Sequence, residues 1–144
     1  MILKQKDDFD GSLAKSEEAL KADPTNWKAL TNRAELSSKI ASIEMAMKQG
    51  KGDREATLKI HMTAREDCLK AMDIPNADVN SIKKHLEPIY LKIVGMTSSQ
   101  EEAISALTSA IEIKEECPTL FMRMRIYMAQ EEWGLAIADG ETIL

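Results

Sequence analysis

The chain has 144 residues, 19 Lys and Arg against 24 Asp and Glu, a net charge of −5 and only 4% aromatic residues. That is one domain's worth of material, able to bury a real core, and its acidity disfavours general nucleic-acid binding, which needs a basic surface against phosphates. No apolar stretch approaches the roughly 20 residues of a membrane span, and Met1-Ile2-Leu3-Lys4 turns charged too early for a signal peptide. The expectation is a soluble, cytoplasmic protein with no membrane insertion.

Ala, Leu, Ile, Met, Lys and Glu dominate, which favours helix. The first helix is expected over about residues 8–22, with Phe9, Leu13, Ser16 and Leu20 on one stripe, stopped by Asp23-Pro24-Thr25-Asn26. A second runs from Trp27 to about Lys48. It carries two apolar stripes, Trp27, Leu30, Ala34 and Ala41, then Leu36, Ile40, Ile43 and Met47, as a helix wedged between neighbours would. Gly50-Lys51-Gly52-Asp53 makes a turn, with Asp53 placed to cap a third helix over about residues 54–72. Residues 77–94 have helical pattern, but Pro88 implies a kink or two short helices, with Gly95 as the stop. Ser98 with Glu101 reads as a capping box for a helix over about residues 99–114. Two more follow, over about residues 118–129 and 131–144.

Small residues recur seven apart, about two helical turns, at Ser12/Ala19, Ala64/Ala71 and Ala103/Ala110, and with Ile143 as the second member at Ala136/Ile143. Small side chains on one face let another helix come close. This pattern, clearest in FDGSLAKSEEALKADPTNWKALTNRAELSSKI and again in the last 45 or so residues with Tyr127, Trp133 and Ala136, resembles the tetratricopeptide repeat family. The resemblance implies an all-α, right-handed superhelical stack of antiparallel helix hairpins, about seven helices in a single domain spanning residues 1–144. The middle departs from the family period: Ala19 to Ala64 is about 18 residues too long and Ala71 to Ala103 about five. The second hairpin is therefore expected to project roughly 13 Å beyond its neighbours. Its tip, Met45 to Glu55 with Lys48, Lys51 and Arg54, is a candidate contact element. Neither end shows a polar capping helix, so the chain reads as a segment of a longer protein or one completed by a partner.

No catalytic chemistry emerges, and no cofactor is implied. Neither His61 nor His85 has partners at metal-ligand spacing, and His61 reads as a surface or hairpin-packing residue. Gly50-Lys51-Gly52 lacks the strand a phosphate loop requires. Cys68 and Cys117, far apart, read as buried, reduced thiols, and most of the nine methionines as core filling. An enzyme is not expected.

The family resemblance implies instead a groove, lined by each hairpin's first helix, that takes a peptide or helix of another protein. Those helices are biased toward basic residues, so an acidic segment or a C-terminal carboxylate is the expected ligand. Lys28, Asn32, Arg33, Lys39, Lys84 and Arg123 are the candidate contacts. The function implied is a scaffold or adaptor module. One alternative is a co-chaperone binding heat-shock chaperone tails, for which Asn32 sits at a clamp asparagine site. The later Lys-x-x-x-Arg pair of that clamp is missing, since Pro88 follows Lys84 and Arg123 is only a loose substitute. The other alternative is a structural segment of a larger assembly.

Overall fold

The structure, a computed structural model, describes residues 2–48 and 52–144, with side chains from residue 4 onward. Among these residues there are seven helices and no strand: α1 (Ile2–Ala22), α2 (Trp27–Met47), α3 (Arg54–Met72), α4 (Val79–Met96), α5 (Gln100–Ile113), α6 (Cys117–Ala129) and α7 (Trp133–Ile143). Each packs on the next, and α2 also meets α4. This is the expected all-α stack of helix hairpins, with α2–α3, α4–α5 and α6–α7 as the pairs. None of the described helices is long and apolar enough to cross a membrane.

Side chains start four of the helices by accepting a bond from an amide that has no partner in the first turn. Asn26 accepts from Ala29 N, Asp53 from Ala56 N, Asp78 from Ser81 N and Ser99 from Glu102 N. The cap of α5 is thus Ser99 with Glu102, one residue beyond the expected Ser98 and Glu101. Helices α6 and α7 follow Glu116 and Glu132, neither of which makes a side-chain cap bond. Helix α4 runs unbroken through Pro88 and past Gly95 to Met96, so the alternative of two short helices does not hold. Its buried residues Ile82, Leu86, Ile89 and Ile93, all 2% exposed or less, fix it on both sides of the proline.

Those four side chains are the centre of the core. Burying a residue of this size stabilises by about 1.5–3 kcal/mol, which outweighs the loss of one helix hydrogen bond at Pro88. Ala64 and Ala71 of α3, and Ala106 and Ala110 of α5, are buried in the same cluster, where small side chains admit the close approach of α4. The expected small positions are therefore buried at Ala64/Ala71, Ala103/Ala110 and Ala136. In α1 they are not: Ser12 is exposed, and the inward face is the stripe that includes Ser16 and Leu20. Helix α2, flanked by α1, α3 and α4, buries Leu30, Ala34 and Ala41 of one stripe and Ile40 of the other. Met47 is 46% exposed, and Met45 fills the interior position instead.

The long hairpin α2–α3 does not stand clear of its neighbours. Helix α1 starts earlier than its expected residue 8 and brings Lys6 within 3.6 Å of Glu44 near the tip. On the other side α4 extends to Met96, and Arg54 donates to the Gly95 carbonyl at 3.1 Å. The extra length is matched by both flanking helices. The side of α1 turned away from α2 is polar, with Lys4, Asp8, Gly11, Lys15 and Glu18 exposed.

Candidate functional site

The residues named from sequence fall into two groups that face different ways. Lys28, Asn32 and Lys39 lie at i, i+4 and i+11 on α2, so helical geometry places them on one stripe together with Glu35. The lower part of this stripe faces α4 across a cavity of about 200 Å³ lined by Glu35, Ser38, Lys39, Lys84, His85 and Lys92, with Pro88 and Ile89 as its apolar wall. Glu35 is bonded on both oxygens: Lys39 Nζ donates to Oε1 at 2.6 Å, and His85 Nδ1 lies 2.6 Å from Oε2. Lys39 also sits 5.6 Å from the centroid of the Phe9 ring of α1. The cavity gathers Lys39 and Lys84, which the sequence singled out, with Lys92 and His85, which it did not. Burial, and then the nearby Lys39 charge, hold the Lys92 amine below its usual range.

Arg33 and Arg123 belong to a different arrangement. Arg33 donates from Nε and Nη2 to both carboxylate oxygens of Asp67 in α3, at 2.9 and 3.0 Å. Arg123 does the same to Asp139 in α7, at 2.9 and 2.6 Å, and reaches Thr108 of α5 at 3.1 Å. Both aspartates are buried, at 5% and 4% exposure. Each fork joins the two helices of its own hairpin, and the guanidinium donors are committed to the fold. These two arginines, expected among the groove contacts, are each paired with a buried carboxylate that requires their charge.

The two pairs occupy equivalent places. Asp67 and Asp139 each lie three residues after a buried alanine, Ala64 and Ala136. The same places in hairpin α4–α5 hold Tyr90 and Ala106, both buried, so the middle repeat fills with apolar volume what its neighbours fill with an ion pair.

The remaining candidates divide similarly. Lys28 lies 5.7 Å from the Trp27 ring centroid, and Lys28 and Asn32 are exposed. At the tip Lys48 is exposed and ends α2, while Arg54 is tied to Gly95. Lys51 lies outside the described residues.

Two larger clefts lie on the opposite side of α2. One, of about 340 Å³, is lined by Glu17, Arg33, Lys59 and Asp67 among others, so its charges balance. The other, of about 370 Å³, sets Glu17 against Lys21 and Arg33, with Arg33 already held by Asp67. Between α4 and α6 a cleft of about 310 Å³ is lined by Val94, Gln100, Met122, Arg125, Ile126 and Ala129. It lies between successive first helices, as the basic cavity does, and is mainly apolar with one exposed arginine.

Beneath the basic cavity, Ser38 Oγ meets His61 Nδ1 at 2.8 Å, both residues 1% exposed. His61 is thus a hairpin-packing residue. Burial, with a contribution from the Lys92 charge, pushes its pKa down to about 4. Cys68 is a buried thiol pushed up to about 12, mainly by burial, whereas Cys117 is exposed, contrary to the expected burial of both. Among the described residues no group of three His, Cys, Asp or Glu is arranged to hold a metal. No protein-family model, no curated protein and no solved structure matches this chain.

Proposed function

We propose that this chain is a protein–protein interaction module of the tetratricopeptide type, a scaffold or adaptor rather than an enzyme, which captures an acidic segment of another protein along the first-helix side of α2 and α4. One observation carries this reading. Lys39, Lys84 and Lys92 converge with His85 on a single cavity that holds only one carboxylate, Glu35, in a chain whose net charge is −5. Packing like charges together in an acidic protein costs stability, and an acidic ligand relieves that cost. Lys28 and Asn32 extend the surface toward the start of α2. The apolar cleft with Arg125 offers a second stop for a segment that carries apolar residues beside its acids.

The test is a titration of the full chain with short acidic peptides, each made with a free and with an amidated C-terminus. Charge reversal at Lys39 and Lys84 is expected to abolish binding while circular dichroism stays unchanged, because both side chains are solvent-facing. Unchanged binding in that double variant sinks the groove assignment. A strict need for the free terminus selects capture of a C-terminal carboxylate, as on a chaperone tail, over capture of internal acids.

A further inference from the structure

The charges around the basic cavity do not cancel, and the remainder specifies a ligand. Three lysines, Lys39, Lys84 and Lys92, line it against the single carboxylate of Glu35, leaving two positive charges before any contribution from His85. One incoming carboxylate neutralises one of them. A phosphate monoester carries about −1.5 to −2 at neutral pH on three acceptor oxygens. We propose that the cavity between α2 and α4 receives a phosphorylated side chain of the captured segment, an inference that rests on the acidic-segment reading and narrows it.

Three further features fit. At about 200 Å³ the cavity suits one side-chain group rather than a whole ligand. Its cations are lysines, which meet phosphate as mobile point charges, and the cavity-lining residues include no arginine that would favour a planar carboxylate. Lys92 is half-buried near Lys39, and the attraction of Glu35 is outweighed by burial and by the Lys39 charge, so an added anion stabilises its charged form. Glu35, bonded to Lys39 and His85, stands where an anion would, and acts as a built-in competitor that the phosphoryl group must displace. Removing its charge is therefore expected to tighten binding of any anion there, and most for the phosphorylated ligand, which carries the larger charge.

The experiment uses three acidic peptide pools identical except for a fixed central residue, phosphoserine, glutamate or serine, titrated calorimetrically into the full chain. The phosphoserine pool is expected to bind about tenfold more tightly than the glutamate pool, as added charge-assisted bonds would give. Lys84→Gln with Lys92→Gln is expected to erase that preference yet keep glutamate-pool binding through Lys39 and Lys28. Glu35→Gln is expected to raise phosphoserine affinity several-fold, and inorganic phosphate to compete for the same site. Equal affinity for the phosphoserine and glutamate pools overturns the phosphate assignment and leaves the acidic-segment reading standing. Failure of every pool overturns both, and a Glu35→Gln gain equal for all pools also overturns the phosphate assignment.

Discussion

Hairpins α2–α3 and α6–α7 are each closed by an arginine forked onto a buried aspartate, Arg33 on Asp67 and Arg123 on Asp139, yet they sit in unlike surroundings. The first is packed between α1 and α4, starts both helices with side-chain caps, and contributes Leu30, Ala34, Ala64 and Cys68 to the main core. The second meets the rest of the described chain only where α6 packs on α5, and it has no side-chain cap bond. It buries Thr119, Leu120, Ala136 and Asp139 while Phe121, Met128, Trp133, Leu135 and Ile137 stand 46–60% exposed. The same polar fork is thus one tie among many in the first hairpin and the principal tie in the second. Local stability is expected to fall from the α2–α5 body to the last hairpin, because it follows buried apolar contact rather than helix content.

The largest expected effect comes from breaking the forks one at a time. Arg33→Leu leaves Asp67 buried without a counter-charge and is expected to cost about 3–5 kcal/mol, somewhat less where water reaches the carboxylate. Because that hairpin belongs to the core, the loss appears in the global urea midpoint. Arg123→Leu breaks the same chemistry but is expected to strip hydrogen-exchange protection from α6–α7 alone, leaving α2–α5 protected. Loss of protection throughout the chain in the Arg123 variant would refute the comparison. Converting Arg33 and Asp67 together to leucine is expected to recover most of the loss, since an apolar pair of similar volume replaces the fork.

Acid sharpens the same contrast. His61 takes a proton near 6.5 when unfolded but only near 4 in the folded core. Between those values the unfolded state binds more protons, so stability falls as pH drops through that window and is full above it. The loss by pH 4 is on the order of 3 kcal/mol. His61→Gln is expected to flatten this part of the urea-midpoint profile. Neither histidine of the chain lies in α6–α7, so exchange from that hairpin is expected to lack this component.

The smallest effect is local to the weaker hairpin. Glu131 has φ 61°, in the left-handed region, where it follows the cap of α6. There its amide bonds the Met128 carbonyl while that of Glu132 bonds Tyr127. A glycine is the usual occupant of such a position. Glu131→Gly is expected to stabilise α6–α7 by about 1 kcal/mol, seen as slower exchange there and nowhere else.

Helix existence was legible because stop signals such as Asp23-Pro24 and caps such as Asp53 act over a few residues. The length of the α2–α3 hairpin was legible too, but its exposure was not. Exposure depends on the lengths of α1 and α4, and a family period says nothing of those. Arg33 was readable as an outlier: it lies about 140° around the helix from Lys28, whereas Asn32 and Lys39 stay near its stripe. The matching signal was an aspartate three residues after the small position, at Asp67 and again at Asp139. His85 and Lys92, seven residues apart, share a face of α4 with Lys84 beside it, but only the approach of α2 turns that face into a cavity.

The central claim is that the ligand meets the first-helix side of α2 and α4, and residue-resolved NMR during titration with the acidic peptide pools tests it most directly. The account predicts saturable shifts concentrated on Lys39, Lys84, His85 and Lys92, with Arg33 and Asp67 little changed. Shifts concentrated on Trp133, Leu135 and Ile137, with the lysine cavity silent, would contradict it.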